Sequence, residues 1–148
     1  MIRHRDSRAM ILRVMSDNQQ QQESLVHTII GAFYQVYRVL GFGFLEQIYA
    51  NSLERELERR GHHVAREVLV LVKYDGEEVG RQRLDLVVDG TVIVEIKATR
   101  DLPRNATRQV YNYLRATDLE CGVLLHFGPE PRFYRVVGPK GGSERRRR

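Results

Sequence analysis

The chain has 148 residues, 42% of them hydrophobic, and 24 Lys and Arg against 19 Asp and Glu give a formal net charge of +5. That length accommodates one domain with its own hydrophobic core. A single cysteine, Cys121, excludes an internal disulfide framework. No segment approaches the roughly 18 apolar residues of a membrane span or has the order of a secretory leader. A cytoplasmic protein without a membrane partner is expected.

In chain order, residues 1–23 read as a disordered tail. Arg3, Arg5, Arg8 and Arg13 precede a polar run, Asp17 to Gln22. Leu25, Ile29, Phe33, Val36, Tyr37 and Leu40 recur at helical spacing, predicting an amphipathic helix over 24–40 that stops at Gly41-Phe42-Gly43. A second helix reaches about Arg60, with Leu45, Ile48, Tyr49, Leu53 and Leu57 as its inward stripe. Glu46 borders that stripe. A glutamate in a first helical turn complements the helix dipole. One at a buried edge needs a cation, a metal or good donors. His62 and His63 follow Gly61 in an exposed turn.

Val64 to Tyr74 reads as a strand, Asp75-Gly76 as a turn, and Val79 to Val88 as the return strand. Thr91 to Ala98 forms a third strand, and Pro103 introduces a helix that carries Gln109 and Tyr113 one turn apart. Cys121 to Phe127 and Phe133 to Val137 complete the strands. Residues 138–148, ending in Arg145 to Arg148, read as a flexible basic tail, which leaves 24–137 as the folded domain. Helices bracketing a run of strands indicate an α/β (α+β) layer fold, a mixed sheet flanked by helices.

The segment Leu84 to Lys97 is the most informative. Two aliphatic runs joined at Asp89-Gly90 read as a hairpin. A three-residue loop (Asp89, Gly90, Thr91) pairs Val88 with Val92 and places Asp85 opposite Glu95. With period two, Arg83, Asp85, Val87, Ile93, Glu95 and Lys97 then share one face. Leu84, Leu86, Val88, Val92, Val94 and Ile96 share the other, wholly apolar face. A two-residue loop would put Asp85 opposite Val94 and spoil that sorting.

Two carboxylates and a lysine at one hairpin end suit metal-assisted phosphodiester hydrolysis. Magnesium prefers oxygen ligands, one or two carboxylates with waters and substrate phosphate, and lowers the pKa of a bound water. Lys97 would orient the attacking water or stabilise developing charge. The bland alternative is a cross-strand Asp/Glu/Lys cluster on a solvated sheet face, worth a fraction of a kcal/mol per pair.

Taken jointly, Gly43-x-x-Glu46-x-x-Tyr49, Asp85, Glu95-x-Lys97 and Gln109-x-x-x-Tyr113 resemble the GxxExxY family of the PD-(D/E)XK nuclease-like superfamily, over roughly residues 24–137. The resemblance implies a restriction-endonuclease-like core in α-β-β-β-α-β order. It implies Asp85, Glu95, the Ile96 carbonyl and Glu46 as ligands of Mg2+ or Mn2+, Lys97 as the catalytic lysine, and Gln109 and Tyr113 as the helix motif that shapes the site. Leu84 stands where the motif nominally has proline. His126 stands where the family commonly has asparagine, either as a harmless surface change or as an alteration of the site edge.

The implied function is a metal-dependent nuclease acting on DNA. The alternative is an inactive nuclease-fold module that binds nucleic acid or a protein partner, since a fold alone does not establish activity. Arg104, Arg108 and Arg115 line one side of the Gln109 helix, as a phosphate-contacting stripe or as a solvated basic face. A small domain without a dedicated DNA-reading element is expected to work with a protein partner or as a homo-oligomer.

Overall fold

The computed structural model describes residues 3–139, with side chains from residue 17 onward. Helix α1 spans Arg3–Leu40 and α2 spans Glu46–Arg59. They are followed by β1 (Val64–Tyr74), β2 (Glu77–Val88), β3 (Val92–Lys97), α3 (Ala106–Arg115), β4 (Cys121–Phe127) and β5 (Pro131–Val137). The five strands form one sheet in the order β1-β2-β3-β4-β5. Every neighbouring pair is antiparallel except β3 and β4, which run parallel with α3 as their connection. This is the mixed, helix-flanked sheet expected from the sequence.

The helix expected from residue 24 begins at Arg3 and runs through the stretch read as a disordered tail. Gln, Leu, Met and Arg are good helix formers, so the polarity of Asn18 to Gln22 does not interrupt α1. Glu23 ties the helix to β5 through an ion pair with Arg135. The basic run Arg145 to Arg148 lies outside the described residues.

Two apolar clusters sandwich the sheet. Ile29, Phe33, Tyr49, Leu53 and Leu57 from α1 and α2 pack on Leu86, Val88, Val94, Ile96 and Phe127. Tyr49 stacks on Phe127 with centroids 4.2 Å apart, and Phe33 meets the same ring edge-on at 4.7 Å. On the opposite face, Ala106, Val110 and Leu114 of α3 cover Val70, Leu84, Val87, Ile93 and Leu124. Gly122 lets α3 approach β4, because a Cβ there would stand 2.6 Å from Val110 Cγ1. The face of the hairpin read as bearing the charged cluster is therefore also core at Val87 and Ile93.

The hairpin has the expected register, Val88↔Val92, Val87↔Ile93 and Leu86↔Val94. Asp89 and Gly90 turn with φ of 52° and 62°, a conformation that Asp tolerates better than bulkier side chains. The sorting of faces fails at one residue: Leu84 packs with Val87 and α3, not with Leu86. Strand β1 shifts in step. Ala65 and Val68 both border the α3 cluster, and Glu67 between them has φ 51°. Alternation holds only while backbone angles stay extended, and the left-handed turn at Glu67, facing Asp85, resets it for both strands.

The apolar stripe of α2 also differs from its reading. Leu45 is 75% exposed and Ile48 38%, while Tyr49, Ala50, Leu53 and Leu57 face inward. Among the described residues no helix is long and apolar enough to cross a membrane.

Candidate active site

The irregularity at Asp85 creates the site. Strand pairing between β2 and β3 ends at Leu86↔Val94. One position further, Asp85 turns its carboxylate into the gap, and Oδ2 accepts the Ile96 backbone N–H at 2.8 Å. A side chain thus takes a ladder bond and fixes the carboxylate against β3. Asp85 and Glu95 come together as the sequence indicated, through a side chain-to-backbone bond in place of a regular cross-strand pair.

Glu95 is buried at 5% exposure on a strand whose other residues up to Ile96 are all apolar. Lys97 Nζ lies 3.7 Å from its Oε1. Its Oε2 is buried with no hydrogen-bond partner. Burial, then the neighbouring Asp85, pushes the Glu95 carboxyl up to about 8, against the opposing pull of Lys97; Glu46 adds to the rise. Asp85 is raised chiefly by burial, although the Ile96 N–H, Lys97 and Arg66 favour its charged form. A buried carboxyl oxygen without a partner, among carboxylates that disfavour one another's charge, is the situation a cation relieves.

Glu46 opens α2 at the exposed mouth of this cluster. Burial and Asp85 raise its carboxyl, while Lys97 lowers it. The spacing Gly43-x-x-Glu46-x-x-Tyr49 has a structural cause. Gly41 and Gly43 adopt φ of 68° and 111°, where a side chain would be strained. Buried Tyr49 donates its hydroxyl to the Gly41 carbonyl at 2.6 Å and accepts the Phe44 N–H at 3.2 Å. One tyrosine therefore fixes the loop that delivers Glu46.

From α3, burial and then the charges of Glu95 and Asp85 raise the Tyr113 phenol. Gln109 and Tyr113 line the same groove beside the site. The arginine stripe divides: Arg115 lines that groove, whereas Arg108 lies 4.9 Å over the Tyr111 ring, facing a depression against β5. Arg104 is exposed ahead of α3.

One neighbour escaped the sequence reading. Arg66 acts electrostatically on Asp85. It is held by Glu54 Oε2 at 2.6 Å and Asn51 Oδ1 at 2.9 Å, both on α2, while its Nε is buried without a partner. An arginine interrupting the apolar start of β1 was the available signal. His126, read as a surface change or a site-edge change, is 5% exposed. Its Nε2 donates to the Thr99 carbonyl at 2.6 Å, which anchors the loop leaving Lys97. Strand β4 is buried throughout, so a polar residue there has no solvent to face.

Among the described residues no three His, Cys, Asp or Glu side chains form a ready-made metal cage. The hard oxygen pair Asp85 and Glu95, with one Glu95 oxygen unpartnered, still suits a magnesium-type ion, which keeps several waters and takes few protein ligands. His62 is engaged elsewhere, its Nδ1 2.6 Å from Asp89 Oδ2.

The chain is similar to the crystal structure of SSO0001, with a TM-score of 0.51 at 22% identity, covering 86% of this chain and 61% of that one. The likeness is one of fold, and this chain spans about three fifths of that protein. No curated protein matches the sequence. The family model of the PD-(D/E)XK nuclease superfamily matches residues 23–136, a span that holds the Asp85 and Glu95-x-Lys97 cluster. By that match over most of its length, the chain belongs to the PD-(D/E)XK nuclease superfamily.

Proposed function

We propose that this protein is a metal-dependent nuclease that hydrolyses DNA phosphodiester bonds, a cytoplasmic member of the superfamily of the GxxExxY kind. The observation that carries the reading is the buried, partnerless Oε2 of Glu95 beside Asp85, with Lys97 Nζ 3.7 Å from the other oxygen. Asp85 and Glu95 would hold Mg2+ or Mn2+, with the Ile96 carbonyl and Glu46 in support. The ion would lower the pKa of water and offset charge on the phosphate. Lys97 orients the water that attacks phosphorus; the water gives up a proton to solvent as the new P–O bond forms, and the leaving oxygen takes one up from solvent as its bond to phosphorus breaks. Gln109 and Tyr113 shape the site, and Arg104, Arg108 and Arg115 offer phosphate contacts.

A second reading is an inactive module that binds nucleic acid or a protein, since a fold alone does not establish activity. Incubation of labelled single- and double-stranded DNA with Mg2+ or Mn2+ separates the two. The parent should cleave, and folded Glu95→Ala and Lys97→Ala variants should not. A folded parent that neither cleaves nor binds metal would leave the module.

A further inference from the structure

Strands β1 and β2 pair from Val64↔Val88 out to Tyr74↔Glu77, but β3 covers β2 only over Leu86 to Val88. Beyond Leu84 the two strands therefore leave the sheet as a ribbon arm, and α3 lies across from it. A groove of about 1030 Å³ separates them. Its floor is apolar: Val68 and Val72 reach solvent there, above buried Val70 and Leu84. Its walls offer the side chains of Gln82 and Asn112, and its charges are Lys73 and Arg115.

No carboxylate lines this groove, although the chain carries 19 Asp and Glu. The groove reaches Gln109 and Tyr113, the α3 residues beside the candidate active site. An apolar floor with cationic, amide-bearing walls complements a chain of flat apolar faces strung on phosphates. A double helix stacks its base faces inside and would leave that floor uncovered, whereas an unpaired strand exposes them.

We propose that the groove between the β1–β2 arm and α3 is the track of a single nucleic-acid strand, which delivers an unpaired or frayed segment to the Glu95–Lys97 site. This deepens the nuclease reading and rests on it for the chemistry, but strand binding can be measured without cleavage.

The probe is fluorescein-labelled oligothymidine, compared with a blunt duplex of equal length, followed by anisotropy on the full chain in EDTA. Oligothymidine is expected to bind about tenfold or more tightly than duplex. The double variant Lys73→Glu/Arg115→Glu should lose about tenfold in oligothymidine affinity. Both side chains are exposed, so its thermal midpoint should match the parent's. The control Arg55→Glu/Arg59→Glu makes the same charge change on α2 and should bind within about twofold of the parent.

Equal affinity for duplex, an unaffected groove variant, an equal loss in the control, or no binding of either probe would each overturn the proposal. Strand binding that depends on the groove, without metal-dependent cleavage, would sink the nuclease reading and leave the track. Cleavage that ignores the groove variant would do the reverse.

Discussion

Asp85 Oδ2 accepts the Ile96 backbone N–H at 2.8 Å, one position past the last regular pair of the β2–β3 ladder. A single bond thus terminates the strand pairing and fixes a site carboxylate. Asp85→Asn keeps an acceptor for that N–H, while Asp85→Ala leaves it unsatisfied at about 1–3 kcal/mol. Urea denaturation should find the alanine variant clearly weaker than the asparagine one, with DNA cleavage lost in both. Equal stabilities would mean that the bond is incidental.

Glu95 ties metal to stability. An ion that binds only the folded state raises the unfolding midpoint with concentration. Mg2+ or Mn2+ should therefore stabilise the parent and leave Glu95→Gln unmoved, with cleavage down about 10²-fold or more. In the absence of metal the variant should lose little stability, since it removes a buried carboxylate whose Oε2 has no partner. A cation-induced shift retained by Glu95→Gln would count against this ligand.

Tyr49→Phe preserves the stacking on Phe127 and removes only the hydroxyl that holds Gly41 and Phe44. We expect a loss of about 1 kcal/mol and, because Glu46 is then delivered loosely, a roughly tenfold to hundredfold fall in cleavage. Wild-type cleavage at reduced stability would confine Tyr49 to the core.

At the hairpin turn, Asp89 receives His62 Nδ1 at 2.6 Å and the His63 N–H at 2.8 Å. Partial burial opposes its ionisation, but these bonds and the two histidines outweigh it and hold the carboxyl below its usual value. A carboxyl lowered in the folded state stabilises folding above its unfolded pKa, and the gain disappears as pH falls through the folded value. Asp89 is partly exposed, so Asp89→Asn should cost under about 1 kcal/mol near neutrality. The gap should close below about pH 4. Thermal melts across that range check this, and a gap that persists in acid would refute it.

Gly122→Ala tests the seating of α3. Its new methyl group would meet Val110 Cγ1 at 2.6 Å, for about 1–3 kcal/mol of destabilisation. The helix that carries Gln109 and Tyr113 should move with it, so cleavage should fall even where the variant is fully folded by circular dichroism.

Much of this protein is determined by local pattern. Apolar spacing located α2, α3 and the strands, because burial of one face imposes a period of 3.6 or 2. Alternation with an odd loop set the Val88↔Val92 register, while the approach of Asp85 to Glu95 rests on the Asp85–Ile96 bond. The helical continuation through Asn18 to Gln22 was masked by polarity, which marks exposure and not disorder. What only the tertiary structure decided arises from contacts between distant segments. Glu67, with no glycine to announce it, takes a positive φ and turns Leu84 to the other face. Arg66 reaches Glu54, Asn51 and Asp85 only once α2 lies against β1. His126 and Thr99 meet because β3 and β4 run parallel. Such positions are set by packing between elements, a term that short-range periodicity does not contain.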